Sequence, residues 1–472
     1  MMGFQPVVLW TDLLLFGLLG CIVLAAWSAR RSEPMRAAWG RVGASGVGMT
    51  SLTLLLIFVL VGLVDSLHYR ERLAPAGAEA AGTKPQLSTD VRSALDALAE
   101  PLRTRVEKTY SAPLAWQLFA RQTVEGKDGS QHREFPRLKY GGAGLQYPEQ
   151  DLAGDVMGRI AIGLEAAAGV WLVLAGAVVG LVARSRRVPF GAGWRAVWRG
   201  KGGLAWRAML LTLAGVLLLV GPVTVLATEY HVFGTDKVGQ DVLFLTLKSI
   251  RTALVIGTLT TLVTLPLAVA LGIIAGYLGG WVDDVIQYVY TVLNSIPGVL
   301  LIAAAVLMMQ VVIDTHPQWF ETAAERADAR LLALCLILGM TSWTGLCRLL
   351  RGETLKLREL EYVQAARAFG VSTTRILARH VLPNLMHLVL IALVMDFSGL
   401  VLAEAVLSYV GIGVDPNTIS FGTMINAARM ELAREPMVWW SLVAAFIFMF
   451  VLVLAANLFA DVVRDAFDPR AS

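Results

Sequence analysis

Two acidic side chains stand inside an otherwise apolar segment near the C-terminal end of the chain. Asp396 and Glu404 lie within residues 386–410, where an ionisable group is costly and commonly belongs to a pathway or to a polar contact between helices. Eight positions on a helix separate two side chains by about 80°, so both could face one interior surface. The alternative is structural: Asp396 makes a hydrogen bond between helices, and Glu404 lies at the outer rim.

The polar segment 361–384 lies between two apolar segments and predicts a helical knob. Tyr362 to Phe369 favours a short helix with a face of small residues, which are Ala365, Ala366 and Ala368. Gly370 then suits the left-handed conformation that ends a helix, because no Cβ is strained there. A smooth knob followed by a sharp turn suits insertion into a groove of a partner protein.

The remainder of this segment predicts a second helix that is soon interrupted. Thr373 and Thr374 are suited to capping that helix, and Pro383, after His380, predicts a break in it. The alternative interpretation of the whole segment is an ordinary amphipathic linker between membrane helices.

Signatures of catalysis or metal binding are missing from the sequence. A phosphate-binding loop needs Gly-Lys followed by Ser or Thr, but Gly126-Lys127 and Gly200-Lys201 are followed by Asp and Gly. Cys335 and Cys347, twelve positions apart on one predicted helix, would be separated by about 18 Å of rise, which exceeds the reach of a disulfide. Neither an enzyme nor a metal site is therefore expected.

The composition predicts a membrane protein. Hydrophobic residues make up 56% of the 472 residues, and the mean hydropathy is +0.63. A spanning helix needs about 20 mostly apolar residues. Nine segments meet this requirement: 8–27, 49–66, 158–183, 207–228, 251–274, 285–313, 331–347, 386–410 and 438–460.

Arginine and lysine residues predict the orientation of these nine spans. They concentrate in the loops after the first, third and seventh spans, which fall on one side of the membrane if every segment crosses it. That side is then cytoplasmic, with the N-terminus in the periplasm and the C-terminus in the cytoplasm. The net charge of +4 is explained by this bias, so we do not expect nucleic-acid binding.

The chain divides into two predicted modules: an extension, residues 1–202, and a compact six-span core, residues 203–472. The extension holds three spans and a polar insert at about 67–157, which the topology places in the periplasm. Ser88, Thr89 and Asp90 predict the cap of a helix in the insert. Within it, Trp116 and Phe119 are either a peptide-contacting patch or local core.

Segment 361–384 resembles the cytoplasmic EAA loop of permease subunits in binding-protein-dependent ABC importers, and further segments resemble the C-type permeases of dipeptide, oligopeptide and nickel importers. In order along the chain, these segments are HVFGTDKVGQD at 231–241, GYLGGWVD at 276–283, LSYVGIG at 407–413 and RDAFDPR at 464–470. Gln240 replaces the usual Arg of the first motif, and Tyr288 and Thr291 stand where the family usually has Arg and Asp. The resemblance covers the core and leaves out the first 205 residues.

The resemblance implies an all-α, polytopic inner-membrane permease that forms half of a peptide pathway and has no cofactor of its own. It implies a coupling loop at about 351–385 that contacts a cytoplasmic ATPase carrying ATP and Mg. The residues carried over for this contact are Glu361, Tyr362, Ala365, Ala366, Phe369, Gly370, His380 and Pro383. Those carried over for the periplasmic motif are Gly234, Thr235, Asp236, Gly239 and Asp241.

The implied partners are a second, B-type permease, the ATPase and a periplasmic substrate-binding protein, with peptide as the cargo and the lipid bilayer around the spans. Import of nickel or another small solute is the alternative within the family. A secondary transporter, or a receptor whose insert binds a ligand, is the alternative outside it. Because the core carries every motif, we expect residues 1–202 to be an accessory that can be removed without preventing assembly.

Overall fold

The computed structural model describes residues 4–29, 31, 33–72, 87–125, 131–200 and 203–467. The extension contributes seven helices and five strands within these ranges. Its helices are α1 (Trp10–Ala29), α2 (Glu33–Ala44), α3 (Gly46–Asp65), α4 (Ala94–Leu98), α5 (Glu100–Thr104), α6 (Pro148–Arg186) and α7 (Phe190–Trp198). Its strands are β1 (Phe4–Val7), β2 (His68–Arg72), β3 (Leu87–Ser93), β4 (Gln122–Glu125) and β5 (Gln131–Glu134).

The core is entirely helical in its long elements. Its α-helices are α8 (Trp206–Leu226), α9 (Val242–Leu278), α10 (Gly280–Ser295), α11 (Gly298–Thr315), α12 (Ala323–Ser342), α13 (Thr344–Arg358), α14 (Glu361–Ala368), α15 (Thr373–Ile376), α16 (Leu382–Val410), α17 (Phe421–Glu431) and α18 (Trp440–Phe467). A 3-10 turn covers Pro317–Trp319, and a π-helical turn covers Leu377–Val381.

The prediction of a polytopic helical membrane protein is confirmed. Within the described residues, eight helical stretches are long and apolar enough to cross a membrane, and the part Trp10–Leu24 of α1 is a shorter apolar stretch. Together these nine correspond to the nine predicted segments. The long helix α9 lies at the centre of the core, where it packs against α3, α12, α13, α16 and α18.

The prediction for the sixth segment, 285–313, is wrong in its first half. The chain there forms two helices, α10 and α11, which are separated at Ile296 and Pro297. Ile296 is extended, with φ −91° and ψ 132°, because the residue before a proline is sterically driven out of the helical region. Of these two helices, only α11 is long and apolar enough to be a membrane span.

The prediction of a helix cap at Ser88 to Asp90 is also wrong. These three residues lie in β3, the edge strand of an antiparallel sheet with the order β1-β2-β3. The cap is formed at Ser93, whose hydroxyl accepts a hydrogen bond from the backbone of Asp96, while the Asp96 carboxylate accepts one from the backbone of Ser93.

A network of charged residues joins the extension to the core. Arg251 of α9 donates to Asp12 of α1 at 2.6 Å, and Lys248 of α9 lies 2.8 Å from Asp65 of α3 and 3.0 Å from Asp96 of α4. In the same cluster, the carboxylate of Asp328, in α12 of the core, accepts the backbone N–H of Thr11 at 3.1 Å and lies 3.9 Å from Arg251. The extension therefore supplies carboxylates to two cations of the central core helix.

A close contact between two glycines joins α6 of the extension to α8 of the core. A Cβ added to Gly163 would lie 2.5 Å from the Cα of Pro222 and 2.7 Å from the carbonyl oxygen of Gly221. A Cβ added to Gly221 would in turn strike the carbonyl of Gly163. Small residues of this kind allow helix backbones to approach closely within a membrane. The extension is thus packed against the core, and its removal would expose the helix faces that meet it.

We predict that Gly163→Ala destabilises the folded chain by about 1–3 kcal/mol, because the methyl group meets backbone atoms that cannot rotate away. The matched control is Gly169→Ala on the same helix, where an added Cβ has no neighbour within 4 Å. Thermal unfolding of the purified protein in detergent measures both variants. Equal midpoints for the two would contradict the contact between α6 and α8.

Candidate functional site

The segment after α13 forms an exposed helical knob. Helix α14 runs over Glu361–Ala368, which confirms the helix predicted at 362–369 within one residue at each end. Gly370 has φ +75°, in the left-handed region as predicted, and its N–H donates to the carbonyl of Arg367 at 3.0 Å. Phe369, at the tip, is 87% exposed. The knob therefore presents a large aromatic side chain to its surroundings.

The base of the knob is fixed to the core by buried aliphatic residues. Val363 of α14, Ile376 of α15 and Val381 of the π-helical turn are buried in one cluster, which also contains Ile273 of α9 and Leu350 of α13. One face of α14 thus packs against the core. Glu361, Tyr362 and Ala365 of the same helix are exposed. A force applied to the exposed face would reach the long helices through this cluster.

The remaining residues of the predicted coupling set lie beside the knob. The rings of Tyr362 and His380 are 6.0 Å apart, and Asn384 donates to the Tyr362 hydroxyl at 3.1 Å. Ala366 is half-buried, and Pro383 is exposed. The structure therefore brings the eight predicted residues into one surface region.

The predicted cap and break in this segment are both wrong. The N-cap of α15 is Ser372, and its side chain makes no capping hydrogen bond. Pro383 does not interrupt the chain, because it lies in the first turn of α16, where a missing N–H costs little. The π-helical turn Leu377–Val381 joins α15 to α16, so residues 373–410 form one continuous helical stretch.

An ion pair that the sequence analysis did not identify braces the region beside the knob. Arg351 of α13 donates to both carboxylate oxygens of Asp283 in α10, each at 2.6 Å. Gly276 lies in the last turn of α9, where an added Cβ would be 2.6 Å from the carbonyl oxygen of Arg351. The motif at 276–283 therefore packs against α13. In the sequence, the acidic last residue of this motif, Asp283, was the available signal for the ion pair.

The motif at 231–241 forms a compact turn before α9. Asp241 is the N-cap of α9, and one of its carboxylate oxygens accepts the N–H groups of Leu243 and Phe244 at 2.8 and 3.3 Å. Asp236 accepts the N–H groups of Val238 and Gln240 at 2.9 and 2.8 Å. Both acidic residues of the predicted motif therefore accept hydrogen bonds from backbone N–H groups of the turn and of the start of α9.

The insert docks directly on this turn. The hydroxyl of Thr235 donates to the carbonyl of Thr109 at 2.9 Å and accepts the N–H of Ser111 at 2.7 Å. Gly234 and Gly239 have φ +71° and +79°. A Cβ on Gly239 would collide with the backbone of Glu107. Glycine is needed at these two positions both for the backbone conformation and for the passage of the insert.

His231 links the turn to the insert through two carboxylates. Its Nδ1 is 2.8 Å from Asp241, and its Nε2 is 3.5 Å from Glu107, which is an ion-pair distance rather than a hydrogen bond. Burial lowers the pKa of His231, but the bond to Asp241 and the contact with Glu107 outweigh it and raise that pKa to about 9. His231 is therefore a cation at neutral pH.

Glu107 is held as an anion at the same contact. It accepts the backbone N–H groups of Lys139, Tyr140 and Gly141 at 2.9, 2.7 and 3.2 Å. Burial raises the pKa of Glu107, but the contact with His231 and these three bonds bring it down to about 2. The insert and the core are thus joined by opposite charges that are both present at neutral pH.

We predict that this contact loses stability in alkaline solution. A histidine whose pKa rises from 6.5 to about 9 on folding contributes fully below pH 6.5, and its contribution disappears as the pH rises through 9. The midpoint of thermal unfolding should therefore fall between pH 6.5 and 9. His231→Gln should remove this part of the decline, and His316→Gln, in the loop after α11, should retain it. An identical pH profile for His231→Gln and the native protein would refute the assignment.

The two acidic residues of α16 occupy different surroundings. Glu404 is 1% exposed and accepts the hydroxyls of Ser408 and Ser420 at 2.6 and 2.9 Å. It therefore joins α16 to the residue that caps α17. Asp396 is half-buried and forms no side-chain hydrogen bond within the described residues. The arrangement favours a structural role for Glu404, whereas the structural alternative for Asp396, a hydrogen bond between helices, is not observed.

The predicted aromatic patch of the insert belongs partly to the core. The Phe119 ring lies 4.8 Å from that of Trp440 at the start of α18, in an edge-to-face arrangement. Trp116 is half-buried, and its carbonyl accepts the N–H of Leu138 at 2.9 Å. Packing accounts for Phe119 without a bound peptide.

Comparison with known proteins connects the core to one family. The model of the family "Binding-protein-dependent transport system inner membrane component" matches residues 268–472. The oligopeptide transport system permease protein OppC of Mycobacterium tuberculosis is 34% identical over 241 residues, which cover 51% of this chain and 76% of that protein. The glutathione transport system permease protein GsiD of Pectobacterium atrosepticum is 31% identical over 240 residues, covering 51% and 73%.

A third relative is matched over a smaller share of its length. The dipeptide transport system permease protein DppC of Lactococcus lactis is 33% identical over 244 residues, which cover 52% of this chain and 65% of that protein. Roughly half of this chain thus lies outside each of these matches.

Proposed function

We propose that this chain, which belongs to the binding-protein-dependent transport system inner membrane component family, is the permease subunit of an ATP-driven importer of peptides. The relatives named for dipeptide, oligopeptide and glutathione transport support the peptide cargo. The observation that carries the proposal is the exposed knob at 361–370, whose base is anchored among the long helices.

The proposed mechanism converts closure of a separate ATPase into movement of the spans. The chain has no phosphate-binding loop in its sequence, so ATP and Mg belong to the partner. Phe369 and the exposed face of α14 enter a groove of that ATPase. When the groove moves, Val363 and Ile376 transfer the displacement to α9 and α13, while the Arg351–Asp283 ion pair makes α10 move with α13.

The assembly proposed around this chain contains three kinds of partner. A six-span core forms only half of a pathway, so a second, B-type permease completes it. The cytoplasmic ATPase binds the knob, and a periplasmic substrate-binding protein delivers the peptide to the opposite end. The insert lies at that opposite end with the turn 231–241, since the two are bonded to each other.

The proposed orientation is supported by the basic loops, and we expect thiol labelling to report it. In a Cys21→Ser background, Ser372→Cys and Arg187→Cys should react only when the reagent enters the cytoplasm. Leu98→Cys, in the insert and 75% exposed, should react with an impermeant reagent added outside. Cys335 and Cys347 are buried and stay as an internal control. The reverse labelling pattern would overturn the proposed orientation.

Uptake by proteoliposomes that contain the complete complex tests the proposed function. A labelled dipeptide and a longer oligopeptide should accumulate only with ATP and the binding protein, and nickel should not. Uptake driven by an ion gradient without ATP would favour a secondary transporter. Nickel uptake without peptide uptake would show that nickel, rather than peptide, is the cargo. If the chain does not purify together with an ATPase, the alternative of a receptor whose insert binds a ligand would be favoured.

A further inference from the structure

The end of α6 and the short helix α7 carry an unusually cationic surface. Five arginines are exposed there: Arg184, Arg186, Arg187, Arg195 and Arg199. The sequence has no acidic residue between 166 and 228, and none of the five forms an ion pair in the described part of the chain. This cationic surface, defined by these five arginines, therefore has no carboxylate partner among the described residues.

The backbone of Arg187 has a conformation that is strained for a residue with a side chain. Arg187 ends α6 in the left-handed conformation, with φ 54°. Glycine is the usual residue at such a position, because a Cβ is strained there. Arg187 and Leu114 are the two non-glycine residues with positive φ within the described residues. A strained position that retains a charged side chain points to a function for that charge.

Helix α7 has the form of a helix that lies at a membrane surface. Its buried face is Val197 and Gly193, the latter packed against Ala183 of α6. The rings of Trp194 and Trp198 lie 6.0 Å apart along the helix, and the indole Nε1 of Trp198 is a buried donor without a hydrogen-bond partner in the described chain. Tryptophan and arginine together favour the headgroup region of a bilayer.

The position of α7 in the chain indicates the depth of its arginines and tryptophans relative to the membrane. It follows α6 directly and precedes α8, and both of these helices are long and apolar enough to cross the membrane. Trp171 of α6 donates to the carbonyl of Leu210 in α8 at 2.9 Å, which holds the two spans together just below α7. The arginines are therefore at the boundary where two spans end, and within reach of lipid phosphates.

We propose that the cationic surface of α6 and α7 is a binding site for the headgroup of an anionic phospholipid. The arginines bind the phosphate oxygens through charge-assisted hydrogen bonds, and the acyl chains lie along the apolar sides of α6 and α8. Leu181 of α6 and Phe190 of α7, which are 68% and 55% exposed, supply apolar surface beside the headgroup. The lipid would attach the extension to the inner leaflet and supply the counter-charge that the described residues do not provide.

The test is a lipid titration of the complete, delipidated complex in neutral detergent, read by native mass spectrometry. Short-chain phosphatidylglycerol is compared with phosphatidylcholine of the same chain length. Phosphatidylglycerol should bind more tightly, and added salt should weaken it. Because each basic residue near an anionic lipid surface contributes about fivefold in affinity, Arg195→Gln with Arg199→Gln should weaken binding by roughly 25-fold.

Two further variants keep this test specific. Arg36→Gln with Arg41→Gln removes two charges from α2, which the topology places on the same side, and should leave the affinity within about twofold. Arg187→Gly removes both the charge and the left-handed strain, so it should weaken lipid binding without lowering the unfolding midpoint.

Four results would overturn the proposal. These are equal binding of the two lipids, native affinity in the Arg195→Gln/Arg199→Gln variant, an equal loss in the α2 variant, and displacement of the lipid by millimolar inorganic phosphate. The last would assign the site to free phosphate.

Discussion

Deletion of residues 1–202 should leave a core that does not fold into a stable, assembled subunit. The deletion removes Asp12, Asp65 and Asp96, and so leaves Arg251 and Lys248 of the central helix without three of their carboxylates. Leaving one partner of a buried pair unmatched costs about 3–5 kcal/mol. The deletion also exposes the faces of α8 and α18 that pack on α6 and α3.

The amount of monodisperse complex that purifies with the partner subunits measures this effect. A point variant separates charge from packing: Asp12→Asn keeps the side-chain shape, and should still reduce the yield and the unfolding midpoint. The control is Glu353→Gln, which removes a carboxylate from an exposed pair with Lys356, where the cost is within about 1 kcal/mol. A truncated core that assembles normally would show that the contacts of the extension are dispensable.

Gly370→Val should abolish coupling while leaving the protein inserted in the membrane. Gly370 has φ +75°, a conformation that a β-branched residue tolerates poorly, so the turn behind Phe369 must change shape. No atom lies within 4 Å of a Cβ at this position, and the strain is therefore in the backbone rather than in packing. Peptide transport should fall at least tenfold in the reconstituted complex, and substrate should no longer stimulate ATP hydrolysis.

A matched variant distinguishes the effect of changing this turn from the effect of replacing a glycine elsewhere in the core. Gly352→Val lies in α13, also has no neighbour within 4 Å of an added Cβ, and has no left-handed backbone. It should retain most of the transport activity. Normal coupling in Gly370→Val would remove the turn from the proposed mechanism.

Local signals predicted much of the structure of the knob correctly. The helix at α14 and the left-handed turn at Gly370 depend on residue type within one or two turns, and both are observed. Pro383 was misjudged because its effect depends on its place in the helix, and a first-turn proline is tolerated. Ser88 to Asp90 were misjudged because strand pairing with β2 overrode their preference for capping.

The charged network between the extension and the core was missed for a different reason. Asp12, Arg251 and Asp328 are far apart in the sequence, and each taken alone is an isolated charge in or beside an apolar segment. Their meaning depends on which helices become neighbours. Asp12 and Arg251 lie inside predicted spans, as Asp396 and Glu404 do, and charges inside spans favour polar contacts between helices.

Site-specific photo-cross-linking from position 369 tests the central claim, that the knob contacts a cytoplasmic ATPase. A benzophenone amino acid replaces Phe369, which is 87% exposed, and in a matched control replaces Tyr147, which is 67% exposed at the start of α6. The account predicts an adduct between position 369 and the ATPase in the assembled complex, and none from position 147. An adduct from 147, or none from 369 in a complex that still transports peptide, would contradict it.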